Sequence, residues 1–219
     1  TGGDGYYAKI DGKDTVFIVK AIYGSNLSYS DVNMTDIEHG PSITSSDIYH
    51  VEVLKKDGED FELLYDPEGN YHETATALLS WVILKPYEEP YSADSSKVTD
   101  FLSNYSSFDF LSCIEYKADD FAKYGLDDPQ ATIFVEYNEQ HEEELAEPET
   151  NPDTGEEITT KTVTEQKSFK LHIGNQNDDG NYYVRKDGDN AVYTMRASLV
   201  EDMLNIDSFD LMSSFISIH

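Results

Sequence analysis

Ile48-Tyr49-His50-Val51-Glu52-Val53-Leu54-Lys55-Lys56-Asp57-Gly58-Glu59-Asp60-Phe61-Glu62-Leu63-Leu64-Tyr65 decides the fold class. In its first half the residue character alternates. Ile48, His50 and Glu52 point one way, and Tyr49, Val51 and Val53 the other, which is the period of a half-buried strand. Asp57-Gly58 then separates this run from a second one, Phe61 to Tyr65. An Asp-Gly pair between two apolar runs is the strongest short hairpin signal, because glycine accepts the positive φ of the turn.

The same pattern extends in both directions. Upstream, Tyr6 to Ile10 and Thr15 to Ile22 flank Asp11-Gly12-Lys13-Asp14. Downstream, Asp66-Pro67-Glu68-Gly69-Asn70 reads as a turn. A strand from Leu78 to Leu84 carries the single tryptophan, Trp81, and stops at Pro86. Further strands are expected at Ala131 to Tyr137 and Ser168 to Ile173. Two helices are predicted. One runs from Ala93 to Tyr105 behind Ser92 as N-cap, with Val98, Phe101, Leu102 and Tyr105 at helical spacing. The other runs from Ala197 to Asn205, with Leu199, Val200, Met203 and Leu204 on one face. A shorter helical turn at Ala118 to Tyr124 is closed by Gly125. The fold class is therefore α+β, mainly antiparallel sheets with a few packed helices.

Between two of these strands lies a compositional outlier, residues 138–166. It contains His141-Glu142-Glu143-Glu144 and Glu147-Pro148-Glu149, a turn at Asn151-Pro152-Asp153-Thr154-Gly155, and a Thr- and Val-rich return from Ile158 to Thr164. This predicts one long acidic hairpin with its tip in solvent. Its charge suits a solvated arm, and as a loop it is also the candidate partner-binding finger.

The chain also resembles itself. Tyr6-Tyr7-Ala8-Lys9-Ile10-Asp11-Gly12-Lys13-Asp14-Thr15-Val16-Phe17-Ile18-Val19 aligns without gaps on Tyr182-Tyr183-Val184-Arg185-Lys186-Asp187-Gly188-Asp189-Asn190-Ala191-Val192-Tyr193-Thr194-Met195. Both Tyr pairs and both Asp-Gly turns coincide, and Lys9 meets Arg185. A weaker echo links Ser45-Ser46-Asp47-Ile48 with Ser213-Ser214-Phe215-Ile216. This predicts an internal tandem repeat of about 170 residues, too long for a solenoid unit. Residues 1–43 would be the C-terminal part of a preceding copy, 44–214 one nearly complete copy, and 215–219 the start of a further stretch.

Composition excludes several functions. Of 219 residues, 44 are acidic and 15 are Lys or Arg, a formal net charge of -29. Such charge repels nucleic-acid phosphates and anionic lipid headgroups. Aromatic content of 12% belongs to a folded chain, not a disordered acidic one. No run reaches the 18 apolar residues of a spanning helix. The single cysteine, Cys113, sits in the apolar run Phe108 to Ile114 and reads as a buried small hydrophobe. The chain opens on Thr1-Gly2-Gly3-Asp4 with no visible signal peptide, and a further N-terminal segment ahead of it is expected.

The search for chemistry returns no catalytic, cofactor-binding or metal-binding residues. The six histidines include no His-x-His or His-Glu-x-x-His spacing. His50 and His172 lie in strand patterns and read as hydrogen-bonded or exposed. No nucleophile elbow, phosphate loop or dinucleotide fingerprint occurs. Asn175-Gln176-Asn177-Asp178-Asp179-Gly180 opens like a calcium loop, but Lys186 stands where the bidentate Glu belongs, so it reads as a turn. Tyr6-Tyr7, Tyr87, Tyr91 and Tyr182-Tyr183 are amphipathic, with one of each pair expected inward and one outward.

Trp81-Val82-Ile83-Leu84-Lys85-Pro86, the Ala93-Asp94 helix start, Tyr124-Gly125-Leu126-Asp127-Asp128-Pro129 and Leu171-His172-Ile173-Gly174, followed by Tyr182-Tyr183-Val184-Arg185, together resemble the bacterial envelope family called domain of unknown function 4340. The resemblance runs from about Ile48 to Asn205. It implies an extracytoplasmic, membrane-anchored protein, in some relatives associated with ABC transporters, and no catalytic residues are carried over. On the residues themselves Gly125 closes a helical turn, Pro129 forces an extended lead into the next strand, and Gly174 ends one. The leading expectation is a non-enzymatic accessory or binding module with a protein partner in the envelope and no cofactor. The alternatives are a carbohydrate- or peptide-binding surface domain using tyrosines, and an enzyme of unrecognised type.

Overall fold

A computed structural model describes residues 5–10, 12–20, 23, 37, 39–41, 43–71, 80–150, 155 and 157–212. The tip residues 151–154, the segment 213–219 and the histidines at 72 and 219 lie outside the described residues, as do Leu78 and Leu79.

Eleven strands form two antiparallel sheets among the described residues. The first contains only β1 (Gly5–Lys9) and β2 (Val16–Lys20). The second contains β3 (Ile48–Lys55), β4 (Phe61–Tyr65), β5 (Trp81–Lys85), β6 (Tyr91–Ala93), β7 (Ser112–Glu115), β8 (Ala131–Thr150), β9 (Glu157–Gln176), β10 (Tyr182–Lys186) and β11 (Val192–Met195). Their spatial order is β6-β5-β4-β3-β8-β9-β10-β11-β7. Two meanders thus meet where β3 pairs with β8. Helix α1 (Ser95–Ser106) carries the chain from β6 at one edge to β7 at the other. Helices α2 (Ala197–Leu204) and α3 (Ser208–Leu211) complete the helical layer.

The core lies between this layer and one face of the sheet. Alternate residues supply it: Val51 and Val53 from β3, Phe61 and Leu63 from β4, Ile133 and Val135 from β8, Leu171 and Ile173 from β9. Val98, Leu102 and Tyr105 of α1 and Val200 and Met203 of α2 close it from the other side. Aromatic rings join in edge-on or stacked pairs, as in Phe61–Phe101 at 5.4 Å and Phe110–Tyr193 at 4.5 Å between centroids. No helix is long and apolar enough to cross a membrane among the described residues.

The predicted α+β, mainly antiparallel class matches this architecture, and several local details differ. Ile48 is buried with Val51 and Val53, not set apart from them. The β3–β8 register shifts between Ile48 and His50, so Tyr49 is an extra residue that turns Ile48 onto the core face. Helix α1 begins later than expected. Ser92 and Ala93 belong to β6, and Asp94 is the N-cap, its carboxylate accepting from the Ser96 amide at 2.9 Å. The fully buried Ala93 is held in the sheet, and the next residue able to cap is Asp94. The helical turn narrows to a 3-10 turn at Ala122–Tyr124, closed by Gly125 at φ 69° as expected. Gly174 does not end its strand, since β9 continues to Gln176. The short helix α3, capped by Asp207, was not read from the sequence.

Candidate functional site

Two polar features stand out: a row of charged side chains across the sheet face opposite the core, and the arm at 138–166.

The row follows from register. Glu52 lies directly opposite Glu62, a like-charge pair that is unfavourable by itself. Glu62 lies opposite Lys85, and His50 opposite Glu136. Lys85 Nζ reaches 2.7 Å from Glu52 Oε1 and 3.0 Å from Glu62 Oε2. The other Glu62 oxygen is 3.3 Å from His50 Nε2, and His50 Nδ1 is 2.7 Å from Glu136 Oε2. A continuous chain Glu52–Lys85–Glu62–His50–Glu136 therefore crosses four strands. Hydrogen bonding to Glu52, then Glu62, raises the Lys85 pKa against the opposing effect of desolvation. The row continues beyond Phe134, whose ring edge meets His50 at 5.9 Å and whose face receives Lys170. His172 sits 2.9 Å from Asp187, and that bond lowers the Asp187 pKa. Both histidines are thus carboxylate-bonded, as the strand pattern suggested. Each carboxylate of the row is satisfied by a neighbouring cation or ring, an arrangement suited to holding four strands in register.

The arm is a two-stranded ribbon. Strand β3 covers β8 only as far as Tyr137, and β10 covers β9 only from Leu171 onward. From Asn138↔Gln166 to Thr150↔Glu157, β8 and β9 form the ladder alone, except that the Asn138 amide donates to the Asp47 carbonyl at 2.9 Å. Thirteen residues on β8 and ten on β9 give a reach of about 30–40 Å at ~3.3 Å per residue. The segment carries ten carboxylates and one lysine. One side shows Glu139, His141 and Glu143 with Lys161 across from Glu143. The other shows Gln140, Glu142 and Glu144 opposite Thr164, Thr162 and Thr160. Lys161 lies 3.2 Å from Glu143 and lowers its pKa, and Lys167 at the base bonds Glu139. The register slips between Glu144 and Glu149, near Pro148, which has no amide to offer a ladder.

Other candidates disperse. Tyr87 and Tyr91 meet at 4.9 Å, Tyr182 packs on the main core, and Tyr183 packs on Tyr124 in a small cluster on the opposite sheet face. One tyrosine of that pair therefore goes to each side, as alternation required. In the calcium-like segment, Asn177 Oδ1 accepts from the Asp179 and Asn181 amides at 3.1 and 2.9 Å. Its oxygen is committed to the turn, and among the described residues no group of three His, Cys, Asp or Glu side chains converges as metal ligands would. An open depression of about 380 Å³ lies between residues 116–119 and 188–190. Asp189, on its wall, already accepts from the Ala191 amide and the Tyr193 hydroxyl.

Sequence reasoning located the arm and missed the row. The faint signal was the alternation that put His50 and Glu52 on one face. The family motifs meet in space: the Tyr124-Gly125-Leu126 turn packs on Gly174 and Asn175 of β9. The family described as Domain of unknown function (DUF4340) matches residues 81–216. No curated protein matches the chain, and no solved structure does.

Proposed function

Because the chain belongs to the DUF4340 family, whose description assigns no activity, we propose that it is a non-enzymatic, extracytoplasmic binding module. It acts in the bacterial envelope as an accessory part of an ABC transporter or surface complex, held there by a membrane anchor ahead of Thr1. The observation that carries this reading is the acidic ribbon, a long two-stranded projection on which Glu142, Glu143, Glu144, Glu147, Glu157 and Glu165 are exposed. Such a surface attracts a basic protein partner and speeds its approach, most strongly at low salt.

The same reading covers the domain layout. We take the chain as tandem copies of one unit, with residues 1–43 largely from a preceding copy, 44–214 as one copy, and 215–219 opening a further stretch. Ile37 and Ile43 pack on the main core, and the Gly40 amide donates to the Phe108 carbonyl at 3.0 Å. We therefore set the junction ahead of Ile37, which moves 37–43 from the preceding copy to the one that holds 44–214.

The test compares full-length tagged protein with a variant in which 138–166 is replaced by Asn-Gly. That turn suits the directly opposed Tyr137 and Lys167. Both are recovered from native membranes and their partners identified by mass spectrometry. The proposal expects transporter subunits with the intact arm and their loss without it, at unchanged thermal stability. Equal recovery without the arm would remove the arm from the proposal. Turnover of a hydrolase substrate, lost on changing a single carboxylate, would end the non-enzymatic reading.

A further inference from the structure

The hairpin β1–β2 has the wrong surface for a hairpin in water. Tyr7 is 80% exposed and Ile18 73%, and Tyr6, Val16 and Phe17 are also exposed. These residues lie on both faces: Tyr6, Ala8, Phe17 and Val19 on one, Tyr7, Val16 and Ile18 on the other. An isolated two-stranded hairpin is marginal in water, and an amphipathic edge hairpin would be apolar on one face only.

The counterpart hairpin has the same register. Tyr6 pairs with Val19, Tyr7 with Ile18 and Ala8 with Phe17. Tyr182 pairs with Met195, Tyr183 with Thr194 and Val184 with Tyr193. These are the same positions in the gapless alignment of the two segments. Gly12 and Gly188 occupy the same place in the turn, at φ 76° and 78°. Yet burial is inverted. Val184, Val192 and Met195 are fully buried, and Tyr193 and Thr194 nearly so. What covers them is identifiable. Strand β9 flanks β10, β7 flanks β11, and the main core lies against Tyr182, Val184, Tyr193 and Met195. Tyr124 and Leu126 cover Tyr183 and Val192 on the other face.

We infer that β1–β2 is the β10–β11 hairpin of a second copy of this domain, and that its apolar faces are made to sit between that copy's counterparts of β9 and β7. The inference rests on the tandem reading and names the surface that joins one copy to its hairpin. The occupant is a domain of this same fold, since identical register and apolar residues on both faces specify the centre of such a sheet.

The framework of this chain provides the test. In one chimera, residues 182–195 are replaced by the sequence of residues 6–19, equal in length. In a second, they are replaced by residues 7–20, which shifts the register by one and inverts the faces. Each is followed by thermal unfolding and by amide hydrogen exchange of the graft, compared with the same sequence at the N-terminus of the unaltered chain. The in-register graft is expected to unfold cooperatively, with its amides protected about 100-fold or more over their N-terminal counterparts. The shifted graft is expected to lose cooperativity. If both grafts fold equally, the shared register is incidental, and the tandem reading falls with the inference. If neither folds, the docking surface is overturned while the internal repeat stands on its sequence match.

Discussion

The carbonyl oxygen of Tyr124 occupies the space where a Cβ on Gly174 would project. Leu126 closes the same space from the side, with its Cγ 3.0 Å from that position. The 121–130 loop is thereby seated on β9, and the Gln130 amide donates to the Ile173 carbonyl at 2.8 Å. Nearby, a side chain on Gly125 would meet Asn175 at 2.6 Å, and Gly125 also needs its positive φ. These two glycines act as close-approach points between the loop and the sheet.

Gly174→Ala should therefore destabilise the protein by about 2–3 kcal/mol, since the obstacle is backbone and cannot rotate away. Chemical denaturation checks it. A cost near that of an ordinary strand Gly→Ala change would mean the loop yields without loss.

Tyr105 is fully buried in α1, and its hydroxyl donates to the Met203 carbonyl of α2 at 2.7 Å. Burial pushes its pKa strongly up. Tyr105→Phe should cost about 1–2 kcal/mol by leaving that carbonyl without its donor. A urea melt reads this directly, and an unchanged midpoint would show that water replaces the hydroxyl.

Lys85 neutralises the opposed pair Glu52 and Glu62. Lys85→Met should lower stability by about 1 kcal/mol or less, because the site is partly open to solvent. Adding Glu52→Gln should recover part of that loss. The Lys85 pKa is raised, so its contribution is complete below about pH 10.4, the unfolded value. It disappears as pH rises through the folded value above that. Melting curves of the three proteins at pH 8 and at pH 11 test the sign. No recovery in the double variant would mean that the two glutamates do not repel measurably.

Asp66 ends β4 in a turn, its carboxylate accepting from the Asn70 amide at 2.9 Å and the Tyr71 amide at 2.8 Å. Burial pushes its pKa up, but these amides, with that of Gly69, outweigh burial and leave it lowered. A lowered carboxylate stabilises the fold above its unfolded pKa, about 3.9, and ceases to as pH falls through the folded value. Asp66→Ala should lower Tm by a constant amount from pH 7 to about pH 4.5, and by less as the pH drops below that. A difference in Tm independent of pH down to pH 2 would contradict this assignment.

What could be read from the sequence was whatever depends on near neighbours. Period-two alternation marked β3 and β4. The Asp-Gly turns marked two hairpins with the same register. Helical spacing selected Val98, Leu102 and Tyr105, and charge marked the arm. Each signal is carried within a few residues, where backbone sterics and burial of one face act directly. The tertiary structure alone decided the rest. The extra residue at Tyr49 turned Ile48 to the core, because β3 had to match β8 more than seventy residues away. The position of β7 beside β11 depended on α1 crossing the sheet. The row from Glu52 through Lys85, Glu62 and His50 to Glu136 formed only once four strands were in register. Strand pairing across long separations is set by how the whole core closes, and no local stretch of chain contains that information.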